Sequence, residues 1–582
     1  MASSSTGSFQ NGEDRHFHGL DAAMLPNITD PAERADIEET LIEEDAEMMP
    51  KDPESTIFSF RTFMVYAGPG WLMSLAYLDP GNLESDLQSG AYTGYDLIWV
   101  LFLCTLAGLV LQVLAARLGT VTGLNLAQQC RHGYSRSTSL TIWIMTELAI
   151  IGSDMQEVVG SAIALKTLFG WPLWVGTLFT GCDTFTFMAV HHFGKRLLEL
   201  FIFALVMLMM VCFFSNFAFS PPTAEELLSG FKFSCPPFAV VQLVGTVGAV
   251  IMPHNIYLHS ALVQSRMVNR QDPVHVRQAN KYNVADASTA LLISFFINAA
   301  LLASFANGFF APICAEDEGG PFACVPGNEA TGSVACKTHG GISGTCSEIG
   351  LQAGGDALGA MLKHRGQIGR TLFALGVLAA GQASTMTGTF AGQYVMEGFV
   401  NLKVPIWLRT LVTRSIALGP AVIVAVLTSD HPDLNSTVSQ WLNILQSVQL
   451  PFALLPVLHF TSDPNVMGRF VLSPVWQAVC WLLALIVIGV NIYLIIDQVS
   501  DKGAGAWVAA AIFFILYLAF IVVIIREDLK RFSKLCARRA RSPDLSVAEG
   551  QNDISVATQQ EITSPTPTGG EGNSSKDVAT EG

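Results

Sequence analysis

Two stretches of the sequence decide the fold: residues 74–90, SLAYLDPGNLESDLQSG, and residues 244–260, VGTVGAVIMPHNIYLHS. In each, a proline with polar neighbours interrupts an apolar segment, as Asp79-Pro80-Gly81-Asn82 and as Met252-Pro253-His254-Asn255. Proline removes a helical hydrogen bond and clashes with the preceding turn, so both helices should be broken here. A simple proline kink needs no aspartate, whose insertion at the centre of a membrane costs about 2.5–3.5 kcal/mol.

The composition predicts a membrane protein. Of the 582 residues, 51% are hydrophobic and only 14% are charged, against about 25% charged in soluble domains, and the mean hydropathy is +0.43. The net charge of -16 belongs to the termini, with -11 in residues 1–56 and -5 in residues 541–582. The acidic balance therefore indicates no nucleic-acid partner. No cleaved signal peptide is recognisable, so insertion should begin at an internal span.

A window of about 20 residues predicts twelve spans. Two are interrupted, 60–90 and 239–265, and the others are 97–117, 139–163, 172–191, 197–219, 286–311, 371–396, 405–428, 441–460, 472–497 and 505–526. Lys and Arg concentrate in the even-numbered loops and after the last span, which predicts cytoplasmic termini. The tails, residues 1–56 and 527–582, are too polar to fold alone.

The two breaks fall in spans 1 and 6, the first spans of two successive five-span units. This arrangement is typical of an inverted-repeat carrier whose binding site lies at the membrane midplane. We therefore predict an all-α polytopic membrane domain over residues 57–526. It would comprise a first repeat, 57–219, a second repeat, 238–460, and two additional spans in 471–526.

The loop 312–350 contains four cysteines, Cys314, Cys324, Cys336 and Cys346. The topology places this loop outside the cell, where an even number of cysteines indicates one or two disulfides. A zinc site is the alternative, but the spacings are wider than the usual CxxC. The sequon Asn435-Ser436-Thr437 is predicted in an external loop and is a candidate for glycosylation.

The residues at the breaks favour a divalent metal ion. Asp79 offers a carboxylate oxygen, Asn82 an amide oxygen, and the broken helices offer carbonyls, all of which suit a hard cation. Met252 adds a thioether sulfur, which suits a softer first-row metal such as Fe2+ or Mn2+ and gives nothing to Ca2+ or Mg2+. Alone, a methionine is as easily a core residue.

Six motifs, in order along the chain, carry a family resemblance. They are DPGN (79–82), ELAIIGSDMQEVVGSAIA (147–164), MPHN (252–255), GQASTMTGTFAGQYVMEGF (381–399), TRSIAL (413–418) and LQSVQLPFALLP (445–456). From about Phe58 to about Arg526 the sequence resembles the natural-resistance-associated macrophage protein (Nramp) family, and most closely its eukaryotic members. The resemblance implies a LeuT-like fold of two five-helix inverted repeats plus two C-terminal helices.

The resemblance also implies the function. It predicts a proton-coupled carrier that moves Fe2+, Mn2+ and similar ions, with Co2+, Cd2+ and Zn2+ in the same class, toward the cytoplasm. It implies metal ligation by Asp79, Asn82, the carbonyl of Ala249 and the sulfur of Met252, with Asn443 as a further contributor. No resident cofactor is expected, and the plasma membrane and an endolysosomal or vacuolar membrane both remain open.

A proton route is the second expectation. Asp154 and Glu157 share one stripe of span 3 with Glu147, and acids within a span are too costly to be incidental. The resemblance implies that Arg414 completes this route. His254 and His259 flank the break in span 6 and could relay a proton, although a purely structural role for His259 is equally compatible with the sequence.

Two other classes of function remain open at this level. A LeuT-like carrier of a small organic solute would use the same broken helices. An intramembrane aspartyl hydrolase would need two carboxylates close enough to share a proton, for which Asp79 and Asp154 are the candidates.

Overall fold

The computed structural model describes residues 47–53, 58–181, 195–219, 221–315, 322–326, 334–337, 343–362, 365–401, 406–427, 432–500 and 504–540. The chain forms two compact units, Met1–Ile524 and Ile525–Gly582. In the second unit, the described residues belong to the end of the last helix. Most of the two predicted tails lies outside the described residues.

The first half of the described chain is almost entirely helical. Its elements are β1 (Glu47–Met48), α1 (Phe60–Tyr66), α2 (Pro69–Leu75), α3 (Pro80–Thr93), α4 (Ile98–Thr122), α5 (Leu126–Gly133), α6 (Arg136–Phe169), α7 (173–181, as far as it is described), α8 (Lys195–Phe219), α9 (Ala224–Ser229), α10 (Val240–Val250), α11 (Pro253–Leu262) and β2 (Arg266–Met267).

The second half adds the longest helices and a small sheet. Its elements are α12 (Pro273–Phe309), α13 (Pro312–Ala315), β3 (Ala323–Pro326), β4 (Ala335–Lys337), β5 (Ser343–Ser347), α14 (Leu351–Met361), α15 (Gly366–Val400), α16 (Ile406–Leu427), α17 (Pro432–Gln449), α18 (Pro451–Ser462), α19 (Pro464–Met467), α20 (Pro474–Ser500) and α21 (Ala504–Ala540).

Both interrupted stretches are split into separate helices. In the first stretch, α2 ends at Leu75 and α3 begins at Pro80, with Asp79 as the N-cap residue of α3. In the second stretch, α10 ends at Val250 and α11 begins at Pro253, with Met252 as the N-cap residue of α11. Proline at the first position of a helix lacks only an N–H that would be unpaired there anyway. Each proline therefore starts a helix at the point where it forbids continuation of the previous one.

The helices around the breaks form the interior of the bundle. The long helix α15 packs along α6, α12 packs against α3 and α4, and α10 packs against α17. Gly160 of α6 lies against Pro80, where a Cβ would come within 2.4 Å of the proline ring. The missing side chain thus lets α6 approach the start of α3 closely.

Seven helical stretches in the described part of the chain, two of them divided between two of the helices above, are long and apolar enough to cross a membrane. They are Ile98–Thr122, Arg136–Phe169, Leu200–Phe219, Pro237–Ser265, Pro273–Phe309, Asn435–Ser462 and Pro474–Ile496. All seven coincide with predicted spans. Two shorter apolar segments, Arg414–Leu427 and Ala510–Arg526, coincide with two more. The count of twelve stays a prediction.

The cysteine loop folds around two disulfides. Strand β5 lies between β3 and β4 in an antiparallel sheet, and the bonds are Cys314–Cys346 and Cys324–Cys336. The prediction of disulfides is confirmed, and the pairing that the sequence left open is now defined. The four cysteines are buried together in a small cluster, and this cluster forms the core on which the short sheet packs.

Two expectations need correction. Asn435 lies within α17 and is only 2% exposed, so its amide is not presented as a glycan acceptor would be in an external loop. The last helix reaches Ala540, so residues 527–540 are not the unstructured start of a tail. In both places a helix extends beyond its apolar window, because helix length depends on backbone propensity and packing as well as on hydropathy.

Candidate metal site

Asp79 and Asn82 present two unused oxygens at the first break. Asp79 Oδ1 accepts hydrogen bonds from the backbone N of Asn82 at 2.9 Å and from Asn82 Nδ2 at 2.6 Å. Asp79 Oδ2 and Asn82 Oδ1 have no hydrogen-bond partner, although the residues are only 1% and 0% exposed. An unpaired buried polar atom costs about 1–3 kcal/mol. Two such acceptors side by side fit a bound cation.

Two backbone carbonyls beside the breaks have lost their helical donors. The carbonyls of Ala76 and Ala249 lie four residues before Pro80 and Pro253, which have no N–H to donate. The Ala76 oxygen accepts only a long contact of 3.4 Å from Asn82 Nδ2. Ala249 was predicted from the family resemblance. Ala76 was missed, although the same four-residue spacing to a proline could have identified it.

Met252 supplies a sulfur at the second break. Its side chain is 2% exposed, and Ser153 Oγ of α6 donates to its Sδ at 3.9 Å. The same hydroxyl lies 3.4 Å from Glu157 Oε1. Ser153, which the sequence analysis did not single out, therefore connects the sulfur to an acid of the predicted proton route.

Asn443 and Gln156 lie against the first break. Asn443 Nδ2 donates to the carbonyl of Gly81 at 3.2 Å, and Gln156 Nε2 donates to Asn443 Oδ1 at 2.8 Å. A Cβ on Gly81 would lie 2.8 Å from Gln156 Oε1 and 3.1 Å from Asp79 Oδ2, so a larger residue would displace these side chains. Asn443 is therefore beside the predicted ligands, with its oxygen already engaged by Gln156.

The helix α6 thus contacts both breaks within one turn. Gln156 faces the first break, while Ser153 faces the second. Gln156 was also missed from the sequence. The signal was available, since Ser153, Asp154, Gln156 and Glu157 form a polar cluster inside an otherwise apolar span.

Asp154, Glu157 and Arg414 form one buried ionic cluster. Arg414 Nη1 lies 3.1 Å from Asp154 Oδ1 and 3.5 Å from Glu157 Oε2. Its Nη2 donates to the carbonyl of Thr385 and, at 3.0 Å, to Thr389 Oγ1. The structure brings together three residues that the sequence assigned to one route. Two carboxyl groups facing one guanidinium can hold a proton between them without losing the ion pair.

The two histidines are buried apart from this cluster. His254 and His259, both in α11, are 2% and 1% exposed, and the Nδ1 atom of each has no hydrogen-bond partner. Among the described residues, no hydrogen bond joins either imidazole to Asp154 or Glu157. Glu147, the third acid of the stripe, accepts a hydrogen bond of 2.8 Å from Trp143 Nε1 one turn earlier.

Together these features define a class of protein. Long apolar helices, two of them broken, enclose a buried set of oxygen and sulfur atoms next to a carboxyl–guanidinium cluster, which is the arrangement of an ion-binding membrane protein. Residues 70–497 match the family described as natural resistance-associated macrophage protein-like. The chain belongs to this family.

Similar proteins agree with this assignment. The chain is 45% identical to the metal transporter nramp1 homolog of Dictyostelium discoideum, over 79% of this chain and 80% of that protein. It is 44% identical to natural resistance-associated macrophage protein 2 of Homo sapiens, over 81% and 82%. A crystal structure of an Eremococcus coleocola manganese transporter mutant superposes with a TM-score of 0.70, at 29% identity, covering 84% of this chain and 99% of that one.

Proposed function

We propose that the protein is a proton-coupled secondary transporter of divalent transition-metal ions, including Fe2+ and Mn2+. It would carry them toward the cytoplasm by alternating access. The proposed architecture is LeuT-like, with two inverted five-helix repeats, twelve spans and broken helices at mid-membrane. The metal ion and the proton are its substrates, and no resident cofactor is part of the proposal.

One observation carries the metal assignment. The unpaired oxygens Asp79 Oδ2 and Asn82 Oδ1 belong to the same break, and Met252, whose side chain carries the sulfur, is the N-cap residue of the helix that follows the other break. Carboxylate and amide oxygens are suitable ligands for Mn2+ and Fe2+, while a neutral sulfur discriminates against Ca2+ and Mg2+. A carrier of an organic solute would gain little from the sulfur. The relatives are named metal transporters, which also disfavours a hydrolase.

The proton assignment rests on proximity. Ser153 Oγ touches both Met252 Sδ and Glu157 Oε1, so the metal ligands and the Glu157–Asp154–Arg414 cluster are separated by a single hydroxyl. A divalent cation close to this cluster would shift its protons by direct repulsion. His254 and His259 remain secondary candidates for the route.

The test is uptake of radioactive Mn2+ into proteoliposomes that contain the purified full-length chain. Asp79→Asn keeps the shape of the side chain but removes the only formal charge of the proposed ligand set. Initial uptake should fall by more than about 100-fold, beyond the loss typical of residues that merely support ligands. The matched control is Asp356→Asn, which neutralises an exposed acid paired with Arg370 at 2.8 Å.

Asn82→Ala should weaken uptake less, because Asn82 contributes an oxygen without charge. All three variants should elute as the wild type does in size-exclusion chromatography. Uptake by Asp79→Asn at the wild-type rate, with Asp356→Asn also unchanged, would show that the metal does not bind at the first break.

A further inference from the structure

A basic cleft lies away from the two breaks. It has a volume of about 510 Å3 and lies between α4, α12 and the turn 468–470. Four cationic residues line it: Arg117, Arg277, Lys281 and Arg469. None of its ten lining residues is acidic. The volume is typical of a small-molecule site, and the lining favours an anion.

The cations of this cleft are not neutralised by protein acids. Among the described residues, none of the four forms a salt bridge, whereas Arg414 and Arg370 elsewhere do. Arg117 Nη2 donates to the carbonyl of Phe470 at 2.5 Å, but its Nε is buried without a partner. The Nζ of Lys281 lies 5.8 Å from the centre of the Phe58 ring. Clustered like charges repel one another, so an anionic ligand would relieve the repulsion.

The cleft opens onto the apolar exterior of the bundle. Along one face of α12, the cations Arg277 and Lys281 are followed by the exposed apolar residues Val284, Leu292 and Phe296, which are 40%, 54% and 51% exposed. The change from charged to apolar residues on one helix face marks the boundary between lipid headgroups and hydrocarbon.

The neighbouring helix α4 shows the same change between apolar and charged residues, but along α4 the apolar residues come first in the sequence and the charged residue follows. Exposed Phe102 and Leu106 are followed by Val113 and then by Arg117. The helices are antiparallel, because the Phe102 and Phe295 rings lie 5.6 Å apart while Asn283 Nδ2 donates to Thr120 Oγ1 at 3.0 Å. The charged ends of both helices therefore meet at the same boundary, which the distribution of Lys and Arg assigns to the cytoplasmic side.

We infer that this cleft binds an anionic phospholipid of the cytoplasmic leaflet. Arg277, Lys281 and Arg469 hold the phosphate, and an acyl chain runs along Val113 and Val284 toward the exposed apolar face. Basic pockets between membrane helices on the cytoplasmic side are suited to such headgroups. A soluble phosphate would use the cations but would leave the apolar wall uncovered, so the geometry favours the lipid.

The test is native mass spectrometry of the full-length protein in mixed micelles. The micelles contain phosphatidylglycerol and phosphatidylcholine with identical acyl chains. The wild type should retain phosphatidylglycerol preferentially. In Arg277→Gln/Lys281→Gln, the apparent affinity for phosphatidylglycerol should fall by about 30-fold. The matched control is Arg61→Gln/Arg136→Gln, which removes two exposed cations from the same predicted side but outside the cleft and should bind as the wild type does.

Soluble competitors identify the source of the phosphate. Glycerol 3-phosphate and inorganic phosphate in large excess should fail to displace the retained lipid, and displacement by either would overturn the assignment to a lipid. Equal retention by the wild type and the cleft double variant would overturn the site itself. If the double variant does not fold, Arg469→Gln on the turn 468–470 replaces it, with the same expected direction.

Discussion

At the scale of single residues, two buried acids of the membrane domain have opposite surroundings. Asp86 of α3 is 1% exposed, and neither of its carboxylate oxygens has a hydrogen-bond partner. Asp154 of α6 is 3% exposed and faces the Arg414 guanidinium at 3.1 Å. A buried charge without a partner is costly, while removal of one partner from a buried ion pair leaves the other uncompensated.

The same substitution should therefore have opposite effects at these positions. Asp86→Asn should leave the thermal unfolding midpoint in detergent unchanged or raise it. Asp154→Asn should lower stability by about 1.5–3 kcal/mol, because a charge-assisted interaction of Arg414 is lost. Scanning fluorimetry of the two purified variants measures the difference. A larger loss for Asp86→Asn would reveal a donor or cation that the carboxylate requires.

The sulfur of Met252 is expected to determine selectivity rather than transport itself. Met252→Ala leaves the oxygens of Asp79 and Asn82 in place, so Mn2+ uptake should persist, the preference for Cd2+ should disappear, and Ca2+ and Mg2+ should become competitors. The measurement is Mn2+ uptake against increasing concentrations of each competing ion. Met209→Ala in α8 truncates an equally buried methionine and should keep the wild-type profile. An unchanged response of Met252→Ala to Ca2+ would refute a selective role for the sulfur.

At the scale of elements, the predictable part of the site is the part that local chemistry determines. Pro80 and Pro253 stand beside polar residues in apolar segments, so the breaks could be anticipated, whereas α16 and α18 continue through Pro420 and Pro456. The carbonyl of Ala249 was implied by the family resemblance. Gln156 and Ser153 could not be anticipated, because their roles depend on α6 packing against both breaks, which no local pattern specifies. Asn443 was anticipated as a ligand, but its contact with Gln156 is a tertiary feature.

An N-terminal strap, residues 47–53, is a tertiary element that the sequence did not predict. It was counted as part of a tail, yet β1 pairs in parallel with β2 and Met49 N donates to Met267 O at 3.0 Å. Asp52 anchors it, accepting hydrogen bonds from the hydroxyls of Thr62 and Tyr282. Lys51 Nζ adds a contact of 2.5 Å to Asp272.

We expect the strap to detach when its anchor is removed. In Asp52→Ala, hydrogen exchange of the amides in residues 47–53 should accelerate by about tenfold, since hydrogen bonds to a charged acceptor are lost. Lys51→Ala should change it little, because exposed ion pairs contribute little. Hydrogen-exchange mass spectrometry of the full-length protein measures the exchange rates in both variants. Equal rates in Asp52→Ala and Lys51→Ala would contradict the expectation that Asp52 contributes more than Lys51 to holding the strap.

Protonation of Asp272 should not release the strap at the pH of an acidic cellular compartment. The hydrogen bond from Lys51 lowers the pKa of Asp272 below its usual value. A carboxyl with a lowered folded-state pKa contributes stability above its unfolded-state pKa of about 4, and this is lost only as the pH falls through the lower folded value. In a His275→Gln variant, which removes the imidazole that contacts the strap backbone at Met49 and whose pKa burial lowers, exchange protection corrected for intrinsic rates should therefore be equal at about pH 5 and about pH 7.5. A loss of protection at the lower pH would require a different titrating group.

At the scale of the whole molecule, the apolar windows predicted the spans but not their ends. The seven long apolar helices coincide with predicted spans because hydropathy measures the property that inserts a helix. Span 1 is three helices, α1, α2 and α3, and the last helix continues to Ala540, since breaks and extensions depend on packing and propensity. Disulfide pairing and the burial of Asn435 likewise required three-dimensional neighbours.

The proposed coupling of metal and proton would be a property of the whole molecule, because it requires the proposed metal ligands and the ionic cluster to remain separate but in electrostatic contact. Ser153 Oγ lies 3.9 Å from Met252 Sδ and 3.4 Å from Glu157 Oε1, and Arg414 Nη1 holds both Glu157 and Asp154. A metal ion at Asp79 brings two positive charges into a medium of low dielectric constant, where a proton on the same carboxylate is repelled. In the proposed mechanism, Glu157 and Asp154 of α6 would accept it. Arg414, already paired with both acids, would favour its onward release.

Glu157→Gln and Asp154→Asn should therefore reduce the proton flux that accompanies Mn2+ uptake and flatten the pH dependence of uptake, while Mn2+ affinity stays close to that of the wild type. Paired Mn2+ and proton fluxes in proteoliposomes with an imposed pH gradient provide the measurement, and Asp356→Asn, remote from the cluster, should behave as the wild type does.

Full proton flux in both Glu157→Gln and Asp154→Asn would make these acids structural, because neither could then be an obligatory carrier. The imidazole of His254, buried with an unpaired Nδ1 in the helix that follows Met252, would then be the better candidate for the proton carrier.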